Sequence, residues 1–293
     1  PRRIHPAPHP PPTRHPLMRT FSFGAGVQST AVLVLQAQGR LPEPYDAFLF
    51  ANVGDDSEHP DTLRYYREIH VPYAEKHGIP LHELRRVKRD GTEETLYGRI
   101  TKPGTKTQGI PIYLSNGAPG RRSCTADFKI RVIHKWQRQN GSSRENPAVC
   151  GLGISMDEIQ RARTDSGFPD QTLEYPLLDH KPPLRRVDCY QIIEEAGLPK
   201  PPRSACYFCP FHSMEAWRTL KRETPDLFQK AVDLEVTLNM QRADSVKDGV
   251  PSVQQSKQVW LTRKLRPLDQ VVDDQLVLDL DGPDGCDTGS CFT

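Results

Sequence analysis

The sequence predicts an α/β fold built on a parallel sheet, and three observations carry that prediction. Short apolar runs alternate with segments of helical periodicity through the first half of the chain. The first run ends in a glycine turn that opens directly into a helix. A later run, NPAVCGLGIS over 146–155, is mostly apolar, as a strand buried on both faces must be.

The elements follow in order. MRTFSF (18–23) reads as a strand, STAVLVLQAQG (29–39) as a helix closed by Gly39, and DAFLFAN (46–52) as the second strand. PDTLRYYREIH (60–70) reads as a helix that Pro72 kinks or restarts before Gly78 ends it, and IPLHELRR (79–86) as the third strand. Strand, helix, strand, helix, strand requires right-handed crossovers and hence a Rossmann-like parallel sheet with helices on both faces. Residues 87–122 break the rhythm with repeated glycine and proline, seven basic side chains, Tyr97 and Tyr113, and read as a long basic lid loop. TADFKIRVIHKWQRQ (125–139) is helical and LEYPLLD (173–179) is one more short strand. Further on, Thr224 followed by Pro225 has the pattern of an N-cap with proline at the first helical position, and Leu227, Ala231, Leu234 and Leu238 mark one apolar face.

At 293 residues with 36% hydrophobic content the chain can bury one large core or two small ones. Its longest purely apolar run, AVLVL at 31–35, is far short of the roughly 20 residues a membrane helix needs, so the expectation is a soluble, cytoplasmic protein with no membrane partner. The net charge of +2 is the small difference between 39 basic and 37 acidic side chains, so any nucleic-acid surface must come from local clustering. Residues 1–17 hold seven prolines, three histidines, three arginines and no acidic residue; they read as a disordered extension without the apolar stretch of a secretory signal, Met18 being a candidate start. Seven cysteines, two of them in a C-x-x-C, favour metal, cluster or redox use over a disulfide framework.

The glycine turn joins a strand to a helix N-terminus, where backbone N–H groups converge on an anion. Gly24 and Gly26 let the main chain approach a phosphate, and Ser29 and Thr30 add hydroxyl donors in the first helical turn. The turn has neither the Gly-Lys-Ser/Thr of a Walker A loop nor the G-x-G-x-x-G of a dinucleotide fold, and by spacing alone a plain βα glycine turn fits as well. Arg161 and Arg163 follow a buried strand and can reach a ligand at the carboxyl edge of the sheet, where arginine forks suit phosphate or sulfate. The alternative is a solvated helix start in which Asp157 and Glu158 balance the two arginines. Cys206 and Cys209 place two thiols on one tight turn, as zinc or an iron–sulfur cluster requires; Cys124 and Cys189 are candidates to complete the set, and a zinc knot drawing on His212 is the structural alternative.

Four segments in order resemble the adenine nucleotide alpha-hydrolase superfamily, specifically the PP-loop branch that includes phosphoadenosine phosphosulfate reductases. The family loop Ser-Gly-Gly-x-Asp-Ser is similar to Gly24-Ala25-Gly26-Val27-Gln28-Ser29, and Asp-Thr-Gly followed by Pro-Glu-Thr is similar to Asn52-Val53-Gly54 followed by Pro60-Asp61-Thr62. Gly-Ile-Arg-x-Asp-Glu-Ser resembles Gly153-Ile154-Ser155-Met156-Asp157-Glu158-Ile159, and Tyr-Pro-Leu-Ile-Asp resembles Tyr175 to Asp179. The resemblance covers residues 20 to about 215 and implies a fold of the adenine nucleotide alpha-hydrolase type, with Gly24, Gly26, Gln28, Ser29, Thr30, Asn52, Asp157, Arg161 and Arg163 around an adenine nucleotide. Gln28 departs from the loop aspartate, and an amide brings no negative charge to hold magnesium, so divalent-metal use through this loop is left open. Ala25 in place of glycine restricts the backbone only modestly.

In cluster-bearing sulfonucleotide reductases a Cys-Cys pair precedes a C-x-x-C; Cys124 resembles its first member, with Thr125 in the second place. The resemblance therefore implies an iron–sulfur cluster of the four-iron type on Cys124, Cys189, Cys206 and Cys209, or on three cysteines with one iron open, as in cluster-dependent tRNA thiolases of the PP-loop class; zinc is the other candidate. The reductases' Glu-Cys-Gly tail is matched in part by Asp284-Gly285-Cys286, with Cys291 five residues on, which makes these two the candidate catalytic thiols; a mobile tail with incidental thiols is the alternative.

The chain accordingly divides into the extension 1–17, a nucleotide-binding α/β domain over 18–185 with the lid loop 87–122, a helical cysteine-containing region over 186–268 and an acidic tail over 269–293. The leading expectation is a phosphoadenosine phosphosulfate reductase-like enzyme whose tail thiolate attacks the sulfur of a bound sulfonucleotide, a thiol donor such as thioredoxin then releasing sulfite. One alternative is an ATP-pyrophosphatase-type sulfurtransferase modifying DNA or tRNA, for which the basic loop with Lys181, Arg185, Arg186 and Arg203 offers a surface. Another is a non-enzymatic, metal-braced module that binds nucleic acid or a partner.

Overall fold

The computed structural model describes residues 17–105, 109–247 and 258–272. From β1 (Arg19–Phe23) the chain turns into α1 (Val27–Ala37), then β2 (Ala47–Asn52), α2 (Pro60–Tyr65), a π turn at Tyr66–His70, α3 (Val71–Lys76) and β3 (Leu81–Arg85). Next come α4 (Leu96–Thr101), β4 (Tyr113–Leu114) and α5 (Ser123–Thr125), which continues through a second π turn, Ala126–Ile130, into α6 (Arg131–Gln139). β5 (Ala148–Leu152), a 3-10 turn at Met156–Arg161, β6 (Gln171–Glu174) and α7 (Pro176–Asp179) follow, and then α8 (Arg186–Glu195), α9 (Met214–Glu223), α10 (Pro225–Lys247), β7 (Val259–Trp260) and α11 (Leu268–Val271).

β1, β2, β3, β5 and β6 form one parallel sheet in the order β3-β2-β1-β5-β6, with Phe21 opposite Phe48 on one side and Gly151 on the other. The α/β class predicted from the sequence is therefore present. Side chains alternate between the two faces with a period of two. Phe21, Phe23, Phe48 and Phe50 meet α1 and α8 in one core, whereas Ala47, Leu49, Ala51 and Cys150 meet Ile133 of α6 on the opposite face. The chain runs outward from β1 to β3 and then returns to the other side of β1 as β5. Strand order thus reverses between β1 and β5, and an open α/β sheet offers its ligand crevice at that point.

A second core lies away from the sheet. Trp217, Leu234, Leu238 and Leu261 pack there with Leu96, Ile100, Ile110, Ile112 and Leu114. The last five fall within 87–122, so the segment read as a lid loop is in its described part a structural contributor: it forms α4 and pairs β4 with β7, Tyr113 opposite Trp260. Its apolar residues sit in pieces too short to show a period. Glu235 on α10 secures the far end of this core, its buried carboxylate accepting from Leu261 N at 2.6 Å and Leu268 N at 2.8 Å. The two cores cut across a boundary at 185/186, because α8 packs in the first and 96–114 in the second.

The strand expected over 173–179 stops at Glu174: Pro176, which has no N–H to give to a sheet ladder, opens the helical turn α7 instead. Pro72 falls in the first turn of α3, directly after a π turn in which Val71 N reaches back to Tyr66 O. Among the described residues no helix is long and apolar enough to cross a membrane.

Candidate functional site

The glycine turn stands at the carboxyl end of β1, at the switch point. Gly26 is the N-cap of α1, the first helical turn has no acidic side chain, and the N–H groups of that turn have no intrahelical acceptor. Ser29 closes the turn on itself: its Oγ accepts from Gly26 N at 3.0 Å and donates to Gly26 O at 2.9 Å. Ala25 lies at φ 55°, in the left-handed region, which costs a non-glycine residue roughly 1–2 kcal/mol, more than the modest restriction expected from the sequence. Gly153, just past β5, lets the opposite wall close in; a Cβ there would lie 3.4 Å from both Gln28 Cβ and Ser29 N.

Between these walls is a cavity of about 80 Å³ lined by Lys129, Arg161, Arg186 and Arg203 with one carboxylate, Glu158. Glu158 accepts from Gln28 Nε2 at 3.2 Å and from Arg161 Nη1 at 2.5 Å. Burial pushes Glu158 up from the usual carboxylate range while Arg161 pulls it back. Four cations against one acid, at a helix N-terminus, make a cradle for a multiply charged anion. Behind Lys129 lies Glu58, 1% exposed, with neither oxygen hydrogen-bonded and Lys129 Nζ 4.0 Å away; burial pushes its carboxyl up as well.

Of the predicted binding residues, Gly24, Gly26, Gln28, Ser29 and Arg161 line this cavity. Thr30 faces the core instead. It is fully buried, donates to Gly26 O at 2.8 Å and lies 2.8 Å from His70 Nε2, which must then be the donor of that second bond. Burial holds His70 neutral, its pKa pushed down to about 3. Asn52 is also a support: buried, it donates to Asp55 at 2.8 Å and Glu83 at 2.7 Å and accepts from Gly54 N at 2.8 Å. That turn needs its glycine, because Gly54 has φ 127° and a Cβ there would stand 2.5 Å from Asp56 Oδ1. Asp157 accepts from Arg186 N at 2.5 Å and so orients the start of α8. Arg163 lines an adjoining cavity rather than the anion cradle.

Lys129 and Ser204 carry no sequence signal pointing to this place. Arg186 and Arg203, expected on a nucleic-acid surface, also line the cradle. Ser204 donates to Gly24 O and thereby braces the turn.

The cysteines separate. Cys206 and Cys209 share one turn, Cys209 N donating to Cys206 O at 3.1 Å, and the neutral His212 donates from Nε2 to the same carbonyl at 2.9 Å, its pKa pushed down to about 3 by burial. Cys124, in α5, packs with Cys206 against the second core. Cys189 lies fully buried in the first core beneath α1, and burial pushes its thiol up to about 12. Two half-buried thiols on one turn suit a thiophilic metal. Among the described residues, however, no three His, Cys, Asp or Glu side chains gather closely enough to hold a metal ion. Cys286 and Cys291 lie outside the described residues.

Two spaces adjoin the cradle. A cavity of about 70 Å³ shares Ser22, Leu152 and Arg161 with it and is walled by Ile130, Ile133, Leu173 and Tyr175. A groove of about 690 Å³ shares Val27, Arg186, Pro202 and Arg203 with it. No family model matches the chain, and no curated protein matches it significantly.

Proposed function

We propose that the chain is an adenine nucleotide-binding enzyme of the PP-loop type, phosphoadenosine phosphosulfate reductase-like, acting in sulfur transfer or reduction. The observation that supports this reading best is the convergence, at the switch point between β1 and β5, of the α1 N-terminus with Lys129, Arg161, Arg186 and Arg203. The phosphate or sulfate end of the nucleotide lies on the turn at 24–29. The cradle of about 80 Å³ and the adjoining cavity of about 70 Å³ are together smaller than the roughly 300–1,000 Å³ of small-ligand pockets, so the cradle takes the phosphate or sulfate end and the rest of the nucleotide extends beyond these two spaces. Donors fixed before the reaction then stabilise charge as it builds on the phosphate or sulfate oxygens.

Cys206 and Cys209 are the residues that would hold a cluster or zinc, with no third ligand gathered beside them among the described residues, and such a centre would supply thiolate-bound metal able to bind and polarise sulfur. In the reductase form Cys286 or Cys291 is the nucleophile. A second reading, an ATP-pyrophosphatase-type sulfurtransferase acting on DNA or tRNA, is favoured by one observation: a groove of about 690 Å³ adjoins the cradle and shares the cations Arg186 and Arg203 with it.

The test is anaerobic purification with iron, zinc and acid-labile sulfide analysis, followed by titration of ATP against phosphoadenylyl sulfate. Sulfite release with thioredoxin as donor supports the reductase. Pyrophosphate release from ATP, stimulated by nucleic acid, moves the assignment to the sulfurtransferase. Turnover of neither overturns the enzyme reading in favour of a binding module.

A further inference from the structure

We propose that His70 is a positioning residue of the anion turn. Its Nε2–H holds the Thr30 hydroxyl on the carbonyl of Gly26, and this keeps the N–H groups of Val27, Gln28 and Ser29 aimed at the cradle that these residues line. The proposal rests on the reading that the cradle takes the phosphate or sulfate end of a nucleotide.

His70 is fully buried, with Nε2 at 2.8 Å from Thr30 Oγ1. The hydroxyl has one proton and gives it to Gly26 O at 2.8 Å, so the imidazole supplies the other. Gly26 O also accepts from Ser29 Oγ and from Thr30 N, each at 2.9 Å. Both hydroxyls of the first turn are thus committed to one carbonyl and turned from the ligand. The turn's donors are then the N–H groups of Val27, Gln28 and Ser29, which no carbonyl within the helix can reach. His70 also touches the other side of the turn: its ring meets that of Phe23, the residue before Gly24, at 4.8 Å and 88°.

Pro72 has no N–H, and its ring would strike the carbonyl four residues back in a regular helix. The segment before it, Tyr66–His70, widens into a π turn closed by Val71 N on Tyr66 O, and His70 stands at the end of that turn. Packing alone does not account for a histidine here. Its ring lies among those of Phe23, Tyr65 and Tyr66, and Nδ1 is buried with no hydrogen-bond partner among the described residues. A polar atom left so costs roughly 1–3 kcal/mol, a penalty that leucine at the same place would not carry. What imidazole supplies and leucine lacks is the donor to Thr30. Burial keeps the ring neutral, its pKa pushed down to about 3, so that donor is present throughout the neutral pH range.

The test is calorimetric titration of the full chain with pyrophosphate and with phosphoadenylyl sulfate, beside urea unfolding of each variant. His70→Leu and Thr30→Val each weaken binding about fivefold. The double variant binds no worse than Thr30→Val alone, because His70 acts through Thr30. His70→Gln, whose side-chain amide brings an N–H to the same hydroxyl, binds within about twofold of wild type. A histidine that serves the core alone gives the opposite split: His70→Leu changes the urea midpoint while the folded protein binds as wild type does, and that result overturns the proposal. Additive losses in the double variant overturn it too. Where His70→Leu does not fold, long-range proton–nitrogen spectra of the wild type, assigned with His70→Gln, decide. The Nε2–H tautomer held from pH 5 to 8 supports the proposal; an Nδ1–H tautomer or a ring that titrates in that range overturns it. Wild-type protein that binds neither probe overturns the nucleotide reading and this proposal together, whereas wild-type binding left unchanged in His70→Leu overturns this proposal alone.

Discussion

Ser204 donates its hydroxyl to the carbonyl of Gly24 at 2.5 Å, across 180 positions of sequence. The segment that leads to Cys206 therefore holds the glycine turn from outside, and the Cβ of Ser204 stands 3.6 Å from where a side chain at Gly26 would begin. A turn that carries Ala25 at φ 55° needs such a brace, because strained backbone persists only where its surroundings over-determine it. Ser204→Ala is expected to lower stability by about 1 kcal/mol and ATP affinity by about fivefold, by urea denaturation and calorimetry, with Ser204→Thr near wild type. Unchanged affinity in the alanine variant would mean that the turn keeps its shape unaided.

Gln28 meets Glu158, so placing an acid at position 28 sets two carboxylates against each other in a largely buried place. Burial already raises Glu158. A raised carboxyl contributes stability that is full below its unfolded value and is lost as pH rises through the folded one, and a second carboxylate moves it further the same way. Gln28→Glu is thus expected to be destabilised on the order of 1–3 kcal/mol near neutral pH, with the deficit shrinking as pH falls toward 5. Denaturant unfolding at the two pH values checks it; a deficit that does not change with pH would show that the carboxylates avoid each other.

What was legible in the sequence was local. The β1 aromatics at Phe21 and Phe23 announce a face by their spacing of two, and Gly24 and Gly26 announce a turn whose function follows from backbone geometry alone. What was hidden comes to the turn from far along the chain. Lys129 is one charge on an amphipathic helix, and Ser204 is an unremarked serine between an arginine and an alanine; only the crossovers that return β5 beside β1 make them neighbours of Gly24. The segment 87–122 misled for another reason. Ile100, Ile110 and Ile112 are core residues separated by glycines and prolines, so no stretch is long enough for periodicity to be read.

Asn52 tests how far a motif position implies ligand contact. It does not line the cradle, and its three hydrogen bonds fix the end of β2. Asn52→Ala is expected to cost about 2–3 kcal/mol while leaving ATP affinity within about twofold of wild type. Burial works to raise Asp55, but hydrogen bonds from Asn52, Arg67 and Arg85 outweigh it and hold its pKa down at about 2. A lowered carboxyl contributes stability that is present above its unfolded value, about 4, and is lost as pH falls through the folded one. Removing Asn52 reduces that shift, so the variant should lose less stability than wild type between about pH 4 and 2. Parallel urea titrations across that range decide it, and an equal slope would count against the Asn52 bond as a cause.

Cys189 separates the proposed three-cysteine centre from the proposed four-cysteine one. A metal takes the thiolate, and the Cys189 thiol, fully buried under α1, is pushed up to about 12 by burial and by the nearby carboxylates of Asp188 and Asp157. Cys206 and Cys209 are half-buried on a turn, and Cys124 packs with Cys206 against the other core. Cys189→Ala is therefore expected to cost about 1 kcal/mol in packing and to leave the iron or zinc content of anaerobically purified protein at the wild-type level, whereas Cys206→Ala and Cys209→Ala lose it. Metal analysis beside far-ultraviolet circular dichroism distinguishes lost ligation from lost fold. A folded Cys189→Ala protein without metal would place Cys189 among the ligands and require α8 to move out of the first core.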